Sequence, residues 1–188
     1  MKQGVIKMVG KMIALDEPSF RSFLESPKTT KASNMLFLVA GAGYGAISIA
    51  SNASYILSFD SALFKFFIVP LIFLVFGLLM AFVTKIGLAL LLWAGAKGLG
   101  GKGLLRDINV SVPAALIPGL FAAPYLAGDG NGNILVLLLM IFGVVWMYLV
   151  CVKIIQTTQN FTRKKAYLAT FLAFLFLASV YYLIIPTG

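Results

Sequence analysis

A chain of 188 residues with 61% hydrophobic and 11% charged side chains has too few charges to wrap a packed core in polar surface, since soluble domains carry about 25% charged residues. The mean hydropathy of +0.99 points the same way, which excludes an ordinary water-soluble globular protein and leaves lipid as the expected solvent. The formal net charge of +9 is spread between apolar runs rather than along one polar face, the pattern of a membrane protein with basic loops, and no nucleic-acid partner is expected.

The length suits one domain, divided into a short N-terminal region, 1–34, and a membrane domain, 35–188. Within 1–34, Val5, Ile6, Val9, Met12 and Ile13 recur at helical spacing with Lys2, Lys7 and Lys11 mostly between them. This predicts an amphipathic helix lying on an anionic membrane surface. Phe20, Phe23 and Leu24 form a second short pattern between Pro18 and Pro27, and the residue before a proline resists helical geometry. No apolar block of signal-peptide type follows the basic N-terminus, so the first span is expected to serve as the targeting signal.

The first apolar run, 35–57, is long enough to cross a hydrocarbon core about 30 Å thick. Along it Gly41, Gly45, Ser48 and Asn52 recur every three or four residues, placing small and polar side chains on one face. Gly41 and Gly45 form a GxxxG pair, which allows two helix backbones to approach closely. Packing within the bundle and homodimerisation both fit that face. After a polar break, 66–96 runs almost uninterrupted apart from Thr84 and Lys85. From Phe66 to Lys85 a helix rises about 28 Å, so Lys85 is expected at the far interface, with the helix continuing to Trp93. Dividing this run would leave a second crossing too short to span. The basic glycine loop Lys97–Asp107 precedes a third run, 108–127, in which Pro113, Pro118 and Pro124 predict a kinked or broken helix. GDGNGN is an exposed turn by composition. The fourth and fifth spans are expected near 134–152 and 166–185, separated by a polar loop over 153–165. The predicted fold class is therefore all-α: a polytopic five-helix transmembrane bundle with a short amphipathic N-terminal region.

With the N-terminus in the cytoplasm, the cytoplasmic side receives Lys2, Lys7, Lys11, Arg21, Lys28, Lys31, Lys97, Lys102, Arg106, Lys153, Arg163, Lys164 and Lys165, thirteen of the fifteen basic residues. Lys65 falls outside and Lys85 near the inner interface. Basic residues favour the cytoplasmic side, so N-in, C-out and an odd number of spans are expected.

Catalytic chemistry finds little material. There is no histidine, the commonest general base and metal ligand. The carboxylates Asp16, Glu17, Glu25, Asp60, Asp107 and Asp129 fall in terminal or loop positions. Cys151, the single cysteine, cannot form an internal disulfide, has no histidine partner for nucleophilic work, and reads as an inert lipid-facing or helix-packed thiol. An enzyme is not expected, nor any cofactor or metal. The glycine loop departs from GxxxxGK[ST], with Ala96 where the first glycine belongs and Gly103 where the hydroxyl belongs, so it holds no magnesium-bound nucleotide. It is either a flexible turn or a seat for lipid phosphate, with Lys97, Lys102 and Arg106 at headgroup depth.

The order of features resembles the Yip family of five-span membrane proteins, named for interaction with Ypt/Rab GTPases, and particularly its bacterial and archaeal branch. The resemblance runs from about Phe20 onward. It is carried by ESP before the first span, GLGGKGLLRDI with Gly100-Gly101-Lys102-Gly103, VSVPAALIPGL with Pro113 and Pro118, and KIIQTTQNFTRKKAYLATFL with Lys165-Ala166. It implies a non-enzymatic scaffold or adaptor. Eukaryotic members act in traffic at the endoplasmic reticulum and Golgi and carry a long soluble N-terminal region, where this chain has 34 residues. That departure argues against a Rab-type GTPase partner and for a prokaryotic plasma (inner) membrane. The expected partners are membrane lipids and other membrane proteins or further copies of the chain. The candidate lipid or partner contacts are Lys85, Lys97, Gly100, Gly101, Lys102, Arg106, Pro113 and Pro118, with Gly41, Gly45, Ser48 and Asn52 as the helix-packing set. A small transporter, channel or lipid scramblase lined by Ser48, Asn52 and Thr84 is the alternative.

Overall fold

The computed structural model describes residues 5–129 and 133–184, and among these it is helical with no strand. The α-helices are α1 (Val5–Ile13), α2 (Glu17–Leu24), α3 (Thr29–Ser51), α4 (Ala53–Leu57), α5 (Val69–Gly98), α6 (Leu105–Ser111), α7 (Pro113–Gly119), α8 (Ile134–Gln159) and α9 (Arg163–Ile184). Three stretches among the described residues are long and apolar enough to cross a membrane: α3 with 23 residues, the continuous Phe64–Gly98 helix with 35, and α8 with 26. Residue 185, the expected end of the last span, lies outside the described residues.

The element boundaries depart from the apolar runs for local reasons. The run over 35–57 is divided, because Asn52 leaves helical geometry (φ −108°, ψ 24°) and its Nδ2 donates back to the Ser48 carbonyl at 2.9 Å. The long second helix is continuous, as expected, but its first turn, Phe64–Ile68, is π-helical. The run over 108–127 becomes α6, α7, a 3-10 turn at Leu120–Ala122 and a π turn at Tyr125–Asp129. Pro113 occupies the first turn of α7, where its missing N–H costs nothing, whereas Pro118 lies inside it and interrupts the ladder. The Leu120 N–H then bonds to Ile117 O, and the Leu116 carbonyl accepts the Tyr44 hydroxyl at 3.2 Å. A neighbouring helix thus satisfies backbone that the break would leave bare in lipid. The expected loop over 153–165 is mostly helix. Ile154 and Ile155 are fully buried and hold α8 in register through Gln159, until Asn160 turns the chain at φ 51°.

Glycine sets the closest contacts between helices. A Cβ on Gly45 would stand 2.7 Å from Leu74 Cα, and one on Gly77 would run into the Gly45 and Gly41 backbone, so α3 and α5 touch through their main chains. Gly143 lets α8 rest on the proline break, where an added Cβ would lie 2.8 Å from Pro118 O. Gly95 does the same for α5 against α9, 2.8 Å from Ala169 O.

The main core joins Leu88 and Leu92 of α5, Ile108 of α6, Val150, Cys151, Ile154 and Ile155 of α8, and Ala166 and Ala169 of α9. Met8, Met12, Phe20 and Phe23 from the N-terminal helices belong to the same cluster. The amphipathic pattern at the N-terminus therefore folds as helix, but its apolar face is turned into the bundle rather than laid on a membrane surface. Either location would remove those side chains from water. Polar ties favour the bundle: Trp146 Nε1 donates to Ile13 O at 2.8 Å, and Lys153 Nζ pairs with Glu17 Oε2 at 3.1 Å. This end also carries the glycine loop and the start of α9, and is the basic end of the molecule. Away from it, burial thins to a small cluster of Ala40, Ala81 and Leu116 with Phe37, Tyr44 and Ile117.

Candidate lipid-interface site

The glycine loop at the basic end is an ordered helix terminus. Gly100, at φ +82°, sits where the chain must turn left-handed, and the Gly101 N–H returns to Ala96 O at 2.8 Å while the Gly100 N–H returns to Lys97 O at 3.0 Å. That pair of bonds is a Schellman cap, which satisfies carbonyls left open by the end of α5. Gly101 is buried, and a Cβ there would stand 2.6 Å from the Gln159 side-chain oxygen. A Cβ on Gly103 would collide with Thr158 O. Gln159 Oε1 accepts the Gly103 N–H at 2.7 Å, and Lys165 Nζ donates to Leu99 O at 3.3 Å. The loop is thus clamped between the end of α8 and the start of α9, and its glycines admit backbone rather than provide slack. Of the two readings open for this loop, the flexible turn is replaced by a rigid one.

The charged residues around the loop point outward. Lys97, Lys102 and Arg106 are exposed, with Lys97 Nζ 5.7 Å from the Trp93 ring centroid. Arg106 borders a shallow groove of about 380 Å³ between α5 and α6, lined also by Ile86, Ala89, Leu90, Leu105 and Asn109. A cation at the mouth of an aliphatic groove suits a lipid phosphate with its acyl chain alongside. Lys85 is half-buried, its Nζ 5.6 Å from the Phe37 ring on α3, a cation–π distance.

Pro113 and Pro118 do not join this surface. Both are buried, so their expected role as lipid or partner contacts gives way to shaping the α7 backbone and the seat for Gly143. Gly101 leaves the contact set for the same reason. Gly41 and Gly45 face Gly77 of the same chain, which assigns the GxxxG pair to packing within the bundle rather than to a second copy. Ser48 and Asn52 are half-buried and joined through the Asn52–Ser48 bond, which caps α3. Cys151 is fully buried between helices.

Four residues that organise the site carry no motif in the sequence. Gln159 is a polar residue in a polar stretch, and only its spacing from Ile155 on a continued α8 would mark it as inward-facing. Trp146 and Glu17 act over more than a hundred residues of separation. Gly77 is one small residue in a long apolar run, and its pairing with Gly41 and Gly45 requires knowing the α3–α5 register. No family model, no curated protein and no solved structure matches the chain.

Proposed function

We propose that the chain is a non-enzymatic integral membrane scaffold or adaptor that organises partner membrane proteins or lipid through its basic end, as its likeness to the Yip family suggests. In this reading it crosses the membrane five times, with the proline-broken α6–α7 segment and α9 completing the three long spans. The basic loops face the cytoplasm of a prokaryotic cell, N-terminus in and C-terminus out.

The observation that carries the proposal is the filling of the basic end. Leu88, Leu92, Ile108, Val112, Ile154 and Ile155 are all under 2% exposed, and α1 and α2 add Met12, Phe20 and Phe23 to the same cluster. Close-packed aliphatic side chains leave no wet path between the helices there, whereas exposed Lys97, Lys102 and Arg106 offer an outward surface. The Asn52 side chain, bonded back to the Ser48 carbonyl, is engaged in ending α3 rather than turned to a solute path.

Reconstitution into liposomes tests the proposal. Proteoliposomes are expected to match empty ones in ion, solute and lipid flux, and in-cell crosslinking should recover a membrane partner that is lost with Lys102→Glu/Arg106→Glu. Flux that vanishes with Lys85→Ala or Asn52→Ala would replace the scaffold by a transporter or scramblase.

A further inference from the structure

A second groove lies between α8 and α9. It holds about 470 Å³ and is lined by Tyr148, Arg163, Lys164, Tyr167, Leu168 and Phe171. Its composition is graded along α9. Arg163 and Lys164 open the helix at the basic end, Tyr167 and Leu168 follow one turn later, and Phe171 lies one turn beyond. From Arg163 to Phe171 the helix rises about 12 Å, the depth over which a membrane passes from phosphate to acyl chain. The aromatic wall is fixed in place: the Tyr148 hydroxyl donates to the Tyr167 carbonyl at 3.0 Å, and the Tyr148 ring meets Phe174 edge-on at 5.2 Å. Leu168 and Phe171 are 48% and 54% exposed, so the groove floor faces whatever surrounds the helices.

No carboxylate lines this groove, and among the described residues the one ion pair is Lys153 with Glu17. Arg163 and Lys164 therefore present two positive charges above an apolar cleft. An arginine guanidinium forms paired hydrogen bonds to phosphate oxygens, and a neighbouring ammonium adds a point charge. A soluble anion would use the two cations but leave the apolar cleft unfilled, and a neutral apolar ligand would do the reverse.

We infer that the α8–α9 groove is a binding site for one anionic phospholipid, its phosphate on Arg163 and Lys164 and one acyl chain along Leu168 and Phe171. The site deepens the scaffold reading and rests on the membrane-spanning part of it alone. It differs from the Arg106 groove, which is smaller and has a single cation in its lining. Bulk attraction of lipid would depend on any exposed pair of cations, whereas a built site depends on its own two.

The full chain in nanodiscs of phosphatidylcholine with one-fifth phosphatidylglycerol supplies the test, with lipid retained on release into detergent counted by native mass spectrometry. Wild type is expected to retain one phosphatidylglycerol. Arg163→Gln/Lys164→Gln should lower that occupancy at least fivefold, and Lys28→Gln/Lys31→Gln, which removes the same charge from exposed positions elsewhere, should leave it within twofold. Equal loss in the two double variants, or equal retention of phosphatidylcholine, would overturn the site in favour of unspecific attraction. Phe171→Trp guards against a misfolded double variant, since its fluorescence should be quenched by brominated phosphatidylglycerol more than by brominated phosphatidylcholine. Equal quenching would also overturn the proposal. Flux through liposomes has no bearing on any of these readouts, so the scaffold and the lipid site fail separately.

Discussion

The two ends of the molecule both carry many large apolar side chains and yet pack them in different ways. At the basic end, residues from α1, α2, α5, α6, α8 and α9 share one cluster in which Leu92, Ile154 and Ile155 have no exposed surface. Toward the other end, Phe66 is 73% exposed and Ile134 71%, and the helices meet mainly where glycine lets their backbones touch. Many large apolar side chains are fully buried at one end, and few are at the other. What separates them is whether other helices are present to receive them, as the N-terminal pair is at the basic end. In lipid, apolar surface alone gives helices little reason to associate, so close contact depends on small residues and on polar ties.

The sharpest way to break this comparison is to truncate one large side chain at each end. Leu92→Ala should lower stability by about 3 kcal/mol through the cavity it leaves, whereas Phe76→Ala, on an exposed face of the same helix, should change it by less than about 0.5 kcal/mol. Unfolding by SDS in mixed micelles measures both, and equal effects would erase the distinction between the ends. Next in size is Gly77→Ala, which forces a methyl group against the Gly41 and Gly45 backbone and should cost about 2 kcal/mol by overpacking. A neutral result would mean that α3 and α5 are not in main-chain contact. Gln159→Leu removes the acceptor of the Gly103 N–H and strands a donor, at about 1.5 kcal/mol. Hydrogen exchange should then quicken at Gly103 and leave Gly143 unchanged. The smallest effect is expected of Glu17→Gln, which breaks the pair with Lys153. That pair is partly solvent-exposed, so the cost should be about 0.5 kcal/mol and should fade as salt is raised.

The helical class and three of the long spans were legible in the sequence because length and hydropathy report directly on solvent. The glycine turn was legible as a turn, and Lys97, Lys102 and Arg106 as surface. Less was legible where apolar character is ambiguous. Met8, Met12, Phe20 and Phe23 form the same pattern whether they face lipid or protein, and the difference lies in a Trp146 bond and a Glu17 pair that no local window contains. The stretch 153–165 reads as loop because it is polar, yet the Thr158 hydroxyl bonds back to Ile154 O within α8 and Gln159 is polar for the sake of the Gly103 backbone. Pro113 and Pro118 were rightly seen to break a helix, but a break inside a bundle needs covering, and this removed them from the surface. Gly41 and Gly45 announce a close contact without naming its partner, and Gly77 supplied it.

The length of the second span has a mechanical consequence. A helix from Phe64 to Gly98, 35 residues long, measures about 50 Å. Even tilted by 40°, near the limit for membrane helices, it projects about 40 Å across a hydrocarbon layer about 30 Å thick. Such a helix overhangs the hydrocarbon layer across that whole range of tilt. Along it α5 meets α3 through Gly77, a little before the midpoint, and α9 through Gly95 near its C-terminal end.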